Sequence, residues 1–440
     1  MKKDKDKDKN KNKKEIKNTI NKNEKKKVKR KLNITKLILF ILLLILIAFI
    51  SYFVYGTFIN GGGMEGFLST AIGQSKEEKE NLEPISVLLL GNSQNLTDTI
   101  IVAKYNPHTQ SAYLVSIPRD TYVGSNKKLA KASNKINSIY QGKYPEKTRD
   151  AVNSVTGLNL KYYAVIDTVA LKELVDTIGG VYFDVPIDMH YTDKKQNLYI
   201  DLKAGYQLLD GNKAEQVVRF RHNSNGTTYS SEYGDNDLGR MKTQRNFLKA
   251  LMKQTLKVEN IKNINNFVNI IKKYVNTNIP TSTLMQYVPS ACSFNVDNLE
   301  TGALKGTPEK CNGVWLFINN KSASKAYFLQ LNNKVDGIET DNIDISNLKI
   351  EVLNGSGSQK KLKSVVSLLK NAGFNITRTG STKSTSKTSI TNRSALPSSI
   401  LENIKALLSC GNFKEDANAS LSQSSIDITI VIGKDYIIEN

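Results

Sequence analysis

Arg219 and Arg221 stand two residues apart in VVRFRHN (217–223), with Phe220 between them, and DLGRMKTQ (237–244) soon adds Asp237, Arg240 and Gln244. Two guanidiniums held side by side repel unless an anion lies between them. Their planar donor forks suit phosphate oxygens, which arginine binds in bidentate fashion where lysine would act as a point charge. In a strand-like reading of 217–222, alternation puts Arg219 and Arg221 on one face and Phe220 on the other. Helical spacing stacks Arg240, Gln244, Phe247 and Leu251 on one side of the next segment. Arg240 then falls in the first turn, where the helix dipole favours an anion, with Asp237 at or beside the N-cap.

SIPRDTYV (116–123) places Arg119 and Asp120 at the exit of an apolar strand, and LTDTIIV (96–102) places Asp98 just before another. Ligands of α/β sheets bind beyond the carboxyl ends of strands. A single arginine is more often a solvated surface group. Four arginines with carboxylates at element ends read as a phosphate or pyrophosphate site. One or two carboxylates plus a substrate's phosphates would be the usual arrangement for magnesium. No P-loop and no GxSxG sequence occurs.

The elements that must position these groups are legible in the apolar pattern. ISVLLLG (85–91), TIIVAKY (99–105), SAYLVSIP (111–118), YYAVID (162–167) and VYFDVP (181–186) read as strands, and TVALKELVDTIGG (168–180) reads as a helix ended by a glycine pair. Interleaved strands and helices predict an α/β fold over 82–335: a three-layer domain with a mixed central sheet flanked by helices. A linker is expected over 336–346. A smaller C-terminal α/β domain follows over 347–440, with a strand in LKIEVLNGSG, a helix over 360–374 and a strand in SIDITIVIG. STKSTSKTSITNRS (381–394) reads as a flexible loop.

The chain has 440 residues and a formal charge of +21, about half of it in residues 1–31, where 16 basic side chains face 5 acidic ones. That arm, extended to residue 36, has too few apolar residues to bury a core and is expected to be disordered and cytoplasmic. No charge occurs from Leu37 to Tyr55. At 1.5 Å per residue such a helix spans about 28 Å, close to the hydrocarbon thickness. A single transmembrane anchor is expected over 37–58, with Tyr52, Phe53, Tyr55 and Phe58 as an aromatic belt. The basic arm keeps the N-terminus inside and the bulk of the chain outside a cell membrane. Membrane lipids are thus expected partners. Nucleic acid is not, because the arm lacks any reading element. The Gly-then-charge stretch 59–81 reads as a stalk. Cys292, Cys311 and Cys410 cannot all pair, but Cys292 and Cys311 fall in one domain and could close a loop.

The ordered series VLLLG, TDTIIVAKYNP, AYLVSIPRDTYV, KINSIY, YYAVID, LVDTIGGVYFDVP, LDGNKAEQVVRFRH and DLGRMKTQRNFL resembles the LytR–CpsA–Psr family over about 82–335, and the unit opening IEVLNGSG resembles the small domain often appended to it. The resemblance implies a phosphotransferase of the Gram-positive envelope. Such an enzyme takes a glycopolymer (teichoic acid, capsule or another wall polysaccharide) from a polyprenyl-pyrophosphate carrier and joins it to a peptidoglycan sugar hydroxyl.

By the same resemblance Asp98 is a metal ligand and, by default, the catalytic carboxylate. Arg119, Arg219 and Arg221 act on the diphosphate in catalysis, and Arg240 and Gln244 complete its binding. Asp237 and Asn92 are further candidate ligands for magnesium or manganese. Asp237 and Asp120 are weaker candidates for the base. One loop departs from the family pattern. In GNSQNLTDT (91–99), Ser93 stands where an Asp is usual and Leu96 where an Arg is usual. That leaves two alternatives open: a catalytically weakened binder of lipid-linked wall polymers, and a pyrophosphatase of the carrier lipid with water as acceptor.

Overall fold

The computed structural model describes residues 34–93, 96–261, 264–338, 345–394, 396, 398–415 and 426–438. The expected cytoplasmic arm, apart from its last three residues, and most of the expected linker lie outside the described residues.

Apolar residues build one uninterrupted helix, α1 (Ile34–Ile59), whose stretch Ile41–Ile59 is long and apolar enough to cross a membrane and is not buried in the protein. The predicted stalk is corrected. Residues 59–81 form two short helices, α2 (Gly63–Ala71) and α3 (Lys76–Glu80), docked on their neighbours. Phe53 of α1 packs on Phe67 with ring centroids 5.7 Å apart, and Asn60 Nδ2 donates to Thr70 Oγ1. Lys79 bonds the Asn60 carbonyl and pairs with Glu65. Glu65 in turn accepts from Ser293 Oγ, and Gln74 donates to the Gln286 carbonyl of the main domain. Gly66 lets the helices approach this closely, since a Cβ there would meet the Thr57 carbonyl oxygen at 2.3 Å.

The main domain has a six-stranded mixed sheet in the order β10-β3-β2-β1-β4-β9. Its strands are β1 (Ile85–Ser93), β2 (Leu96–Asn106), β3 (Ser111–Ser116), β4 (Tyr162–Ile166), β9 (Val275–Thr277) and β10 (Leu299–Ala303). β1 and β4 are parallel, as are β3 and β10, and the other pairs are antiparallel. Alternation assigns each face a core. Leu88, Leu90, Ile100, Val102, Tyr113 and Val115 pack against α4 (Pro145–Thr156) and, further along the chain, the helix Lys321–Asp336. Ile101, Ala112 and Leu114 face the other way, toward Leu248, Met252, Phe294 and Val296.

A third cluster joins α5 (Thr168–Thr177), α6 (Gly211–Arg219) and Phe247 of α7 (Asn236–Thr255) to two hairpins. β5 (Val181–Val185) pairs with β8 (Gly205–Leu209), and β6 (Met189–Asp193) with β7 (Leu198–Leu202). VYFDVP is thus a strand, but of a hairpin and not of the central sheet.

The remaining helices are α8 (Val258–Ile261), α9 (Ile264–Tyr274), α10 (Thr281–Cys292) and α11 (Lys321–Asp336), and β11 (Gly306–Cys311) pairs with β12 (Val314–Asn319). The C-terminal domain holds β13 (Ile350–Asn354), α12 (Gln359–Asn371), β14 (Ile376–Ser381), β15 (Ser389–Asn392), α13 (Ser398–Leu408), β16 (Asn412–Glu415) and β17 (Ile428–Ile432). Its sheet runs β14-β13-β17-β15-β16, and its core reaches Ala326 of α11. The 381–394 stretch expected as a loop contains β15, whose Ile390 is buried. Cys292, Cys311 and Cys410 are all free thiols, so no disulfide joins Cys292 to Cys311.

Candidate active site

VVRFRH is not a strand. Asp210 caps α6 by accepting from Lys213 N, and the helix ends at Arg219. Phe220 is extended (φ −63°, ψ 136°) and fully buried. Both arginines nonetheless reach one cavity, because the helix stops between them and the chain turns.

That cavity, of about 300 Å³, opens at the carboxyl ends of β1 and β4. Asp98, Arg119, Arg219, Arg221, Arg240 and Gln244 all line it. Its remaining wall is largely apolar, including Leu171, Leu174, Leu198, Phe247, Leu248 and Leu251. The predicted helical face of Arg240, Gln244, Phe247 and Leu251 is therefore the face α7 turns to the cavity, although Arg240 sits past the first turn. The hairpin and α5 walls were not anticipated. Nothing in their alternation distinguishes a cavity wall from a core face.

Asp237 is the hub. Its Oδ1 lies 2.8 Å from Arg240 Nη2 and 3.3 Å from Arg221 Nε, and its Oδ2 lies 3.4 Å from Arg119 Nη2. Arg119 Nη1 also donates to Asp98 Oδ1 at 2.7 Å. Three guanidiniums thus converge on two carboxylates. The contacts of Asp237 Oδ1 lack hydrogen-bond geometry, and the Nε–H groups of Arg119, Arg221 and Arg240 are buried with no acceptor. Burial pulls the Arg119 pKa down, but Asp237 and Asp98 outweigh it and raise the pKa above the ordinary value. For Arg240 burial wins, with Arg119 and Arg221 adding repulsion, and the pKa is lowered despite Asp237. At about 4 Å and an effective dielectric of about 20, a pair of unit charges interacts by about 4 kcal/mol. Three cations against two anions therefore favour an incoming anion with oxygens to spare.

Arg219 is held apart from this cluster. Its Nη1 pairs with Glu215 at 2.9 Å and its Nη2 donates to Gln196 at 3.1 Å, while Glu215 also pairs with Lys172. Glu215 and Gln196 were missed in the sequence. Glu215 was accessible through the i,i+4 spacing, had 215–219 been read as helix. Gln244 donates its Nε2 to the Val218 carbonyl at 2.8 Å. Its amide thus ties α7 to the end of α6 beside Arg219, while its side chain lines the cavity. Asp120 does not line the cavity and pairs with Lys135 at 2.9 Å.

Asp98 owes its aim to a bulge. Gly91 pairs with Thr99 and Asn92 with Thr97, which leaves Asp98 unmatched between them. A Cβ on Gly91 would meet the Thr99 side chain at 2.8 Å, so glycine keeps the bulge tight. Asn92 Oδ1 is buried without a partner at the same bulge. One carboxylate and one unpartnered amide oxygen fit a hard cation that takes its other ligands from phosphates and water. No group of three or more His, Cys, Asp and Glu side chains could hold a metal among the described residues. Asp237 does not fit as a ligand, since three guanidiniums surround it. Leu96 begins β2 with 43% exposure and offers no donor.

The model of the LytR_cpsA_psr family matches residues 64–333, and that of the LytR cell envelope-related transcriptional attenuator matches 347–436. The chain is 30% identical to the regulatory protein MsrR of Staphylococcus aureus over 46% of its own length, a match that spans 58% of MsrR. It is 28% identical to TagU of Bacillus cereus, a polyisoprenyl-teichoic acid–peptidoglycan teichoic acid transferase, over 55% of this chain and 76% of that one. The crystal structure of B. subtilis TagV aligns with a TM-score of 0.48 at 22% identity, covering 58% of this chain and 98% of TagV. With more than half of its residues matched by one family model and residues 347–436 by a second, the chain belongs to the LytR–CpsA–Psr family and carries a LytR-type C-terminal domain.

Proposed function

We propose that the protein is a membrane-anchored, extracytoplasmic phosphotransferase. It moves a glycopolymer from a polyprenyl-pyrophosphate carrier to a peptidoglycan sugar hydroxyl. The observation that carries this reading is the convergence of Arg119, Arg221 and Arg240, each with a buried, unused Nε–H, at the polar end of an apolar cavity. A diphosphate on a hydrocarbon tail matches both halves. Family membership and the likeness to TagU support the same assignment. The apolar helix α1, preceded by a Lys-rich arm, supports a single-pass anchor with the exterior outside the cell.

In this reaction the acceptor hydroxyl attacks the phosphorus that bears the glycan. The new sugar O–P bond forms as the P–O bond to the polyprenyl phosphate breaks, and polyprenyl monophosphate leaves. Arg119, Arg221 and Arg240 stabilise the charge that builds on the leaving phosphate, and Arg219 fixes the diphosphate from the α6 side. Asp98 Oδ2, which has no partner among the described residues, takes the hydroxyl proton in the metal-free site; with a metal held there the proton would pass to water. Asp98 and Asn92 would hold magnesium or manganese, which when bound neutralises phosphate charge. The apolar walls exclude water from the tail side of the site.

The test uses the full-length protein in lipid nanodiscs with labelled lipid-linked polymer and peptidoglycan. Label should move to peptidoglycan only when both substrates are present. Lipid binding without transfer would mark a receptor instead, and phosphate release without acceptor would mark a pyrophosphatase.

A further inference from the structure

Lys242, Arg245 and Lys305 have no carboxylate partner among the described residues, yet they gather around the carboxyl ends of β3 and β10, on the same edge of the sheet as the cavity. Arg245 Nη1 donates to Ser116 Oγ at 2.8 Å, which ties α7 to the end of β3, and its Nε is buried with no acceptor. Lys242, one turn earlier on α7, lies 4.3 Å over the ring of Tyr233. Lys305, just after β10, lies 4.0 Å over the ring of Tyr327. Tyr327 reaches the same strand ends as Arg245. A Cβ on Gly302 would fall on its hydroxyl, and Gly302 and Ala303 pair in register with Val115 and Ser116.

Burial lowers the Arg245 pKa, and only the phenols of Tyr327 and Tyr233 oppose it. The nearby carboxylate Glu300 is taken by Lys334. A partly buried guanidinium with no counter-ion is costly unless an anion visits it. The aromatic faces hold the two ammonium groups without neutralising them.

The cluster is continuous with the proposed transfer centre. Ser116 precedes Arg119 by three residues, and Arg245 follows Arg240 on the same helix. Tyr233 stacks on Tyr229 with centroids 5.3 Å apart, and Tyr229 packs edge-on against Phe220, the residue between Arg219 and Arg221.

We propose that Lys242, Arg245 and Lys305, set by Tyr233 and Tyr327, form a subsite for an anionic glycan that projects from the mouth of the cavity. The inference rests on the proposed transfer reaction, in which only glycan extends outward from the diphosphate. The carboxylates of an acceptor strand and the phosphates of a donor polymer share the required chemistry.

The test compares the wild-type full-length protein with K242A/K305A, whose changes lie outside the core, and with R245Q. Two readouts apply: KM for each polymer in transfer, and direct binding of a carboxylate-bearing peptidoglycan fragment against its methyl ester. Loss of a charge-assisted contact should raise KM for one polymer about tenfold, more than any fall in kcat. A rise for peptidoglycan assigns the subsite to the acceptor, and a rise for the lipid-linked polymer assigns it to the donor. KM unchanged for both polymers, with ester and acid bound equally by all three proteins, would overturn the proposal. Should the wild type fail to bind lipid pyrophosphate, the transfer reading fails, and the fragment titration still decides the subsite.

Discussion

Asp237 Oδ1 lies 2.8 Å from Nη2 of Arg240, its i+3 neighbour on α7, and this contact anchors a buried guanidinium that two further arginines crowd from other segments. In the proposed reading this carboxylate is the resting counter-ion of the diphosphate site. Removing it by Asp237→Asn should cost about 3 kcal/mol, the lower end for a buried pair, because Arg240 is buried and Asp237 is partly exposed. Polyprenyl pyrophosphate should recover more stability in the variant than in the wild type. Thermal unfolding with and without the lipid measures both, and an unchanged unliganded Tm would contradict the assignment.

The two arginines of VVRFRH should not weigh equally. Arg219 is already paired with Glu215 and Gln196, whereas among the described residues the Arg221 side chain pairs only with Asp237, at 3.3 Å without hydrogen-bond geometry. Arg221→Ala should weaken lipid-pyrophosphate binding by about 10–100-fold, the range of one to two charge-assisted contacts. Arg219→Ala should cost less than Arg221→Ala, and the double variant should lose measurable binding. Calorimetric titration gives the order, and the reverse order would displace Arg221 from the diphosphate.

Gln244→Leu should act through α6. Loss of the donor to the Val218 carbonyl leaves a partly buried acceptor unmatched, which costs about 1 kcal/mol of stability. Lipid-pyrophosphate affinity should fall as well, but the fall should vanish when the change is made in an Arg219→Ala background. A full additional loss in that background would put Gln244 in direct phosphate contact.

Much of this was legible and some was not. The apolar runs 85–91, 99–105 and 111–118 mark β1, β2 and β3 because both faces of the sheet are covered, so continuous hydrophobicity is a strong signal. The VVRFR alternation misled, because a β-branched pair next to alternating arginines mimics a strand, while Asp210 and the buried Ala214 and Val217 make a helix. The apparent stalk carried its own correction. Ser75 and Glu78 form a reciprocal capping box that the sequence displays as S-x-x-E. The bulge that aims Asp98 depends on tertiary register and left no such trace. Arg245 lay in plain view but outside any spacing that pointed to a partner.

Glu146 and Tyr163 provide a pH signature remote from the site. The Tyr163 hydroxyl donates to Glu146 Oε1 at 2.7 Å and holds that carboxyl below its usual range. Burial, and then the bond to Glu146, push the Tyr163 phenol up to about 12. A depressed carboxyl stabilises the fold above its unfolded pKa of about 4.3, and that contribution is lost as pH falls through the lower folded value. A raised phenol stabilises below about 10 and is lost as pH climbs through about 12. The stability gap between wild type and Tyr163→Phe should therefore be widest between about pH 5 and pH 9 and narrow at both ends. A pH-independent gap would mean the hydroxyl serves packing alone.

The central claim is that converging guanidiniums hold the diphosphate of a lipid whose tail occupies the adjoining cavity. The most direct measurement is calorimetry of the full-length protein with a short-chain polyprenyl pyrophosphate, the matching polyprenyl alcohol and inorganic pyrophosphate. The account predicts that the lipid pyrophosphate binds at least about 100-fold more tightly than either half alone, since both ends of the site contribute. Equal affinity for the pyrophosphate and the alcohol would show that the arginines contribute nothing to the lipid, and would contradict it.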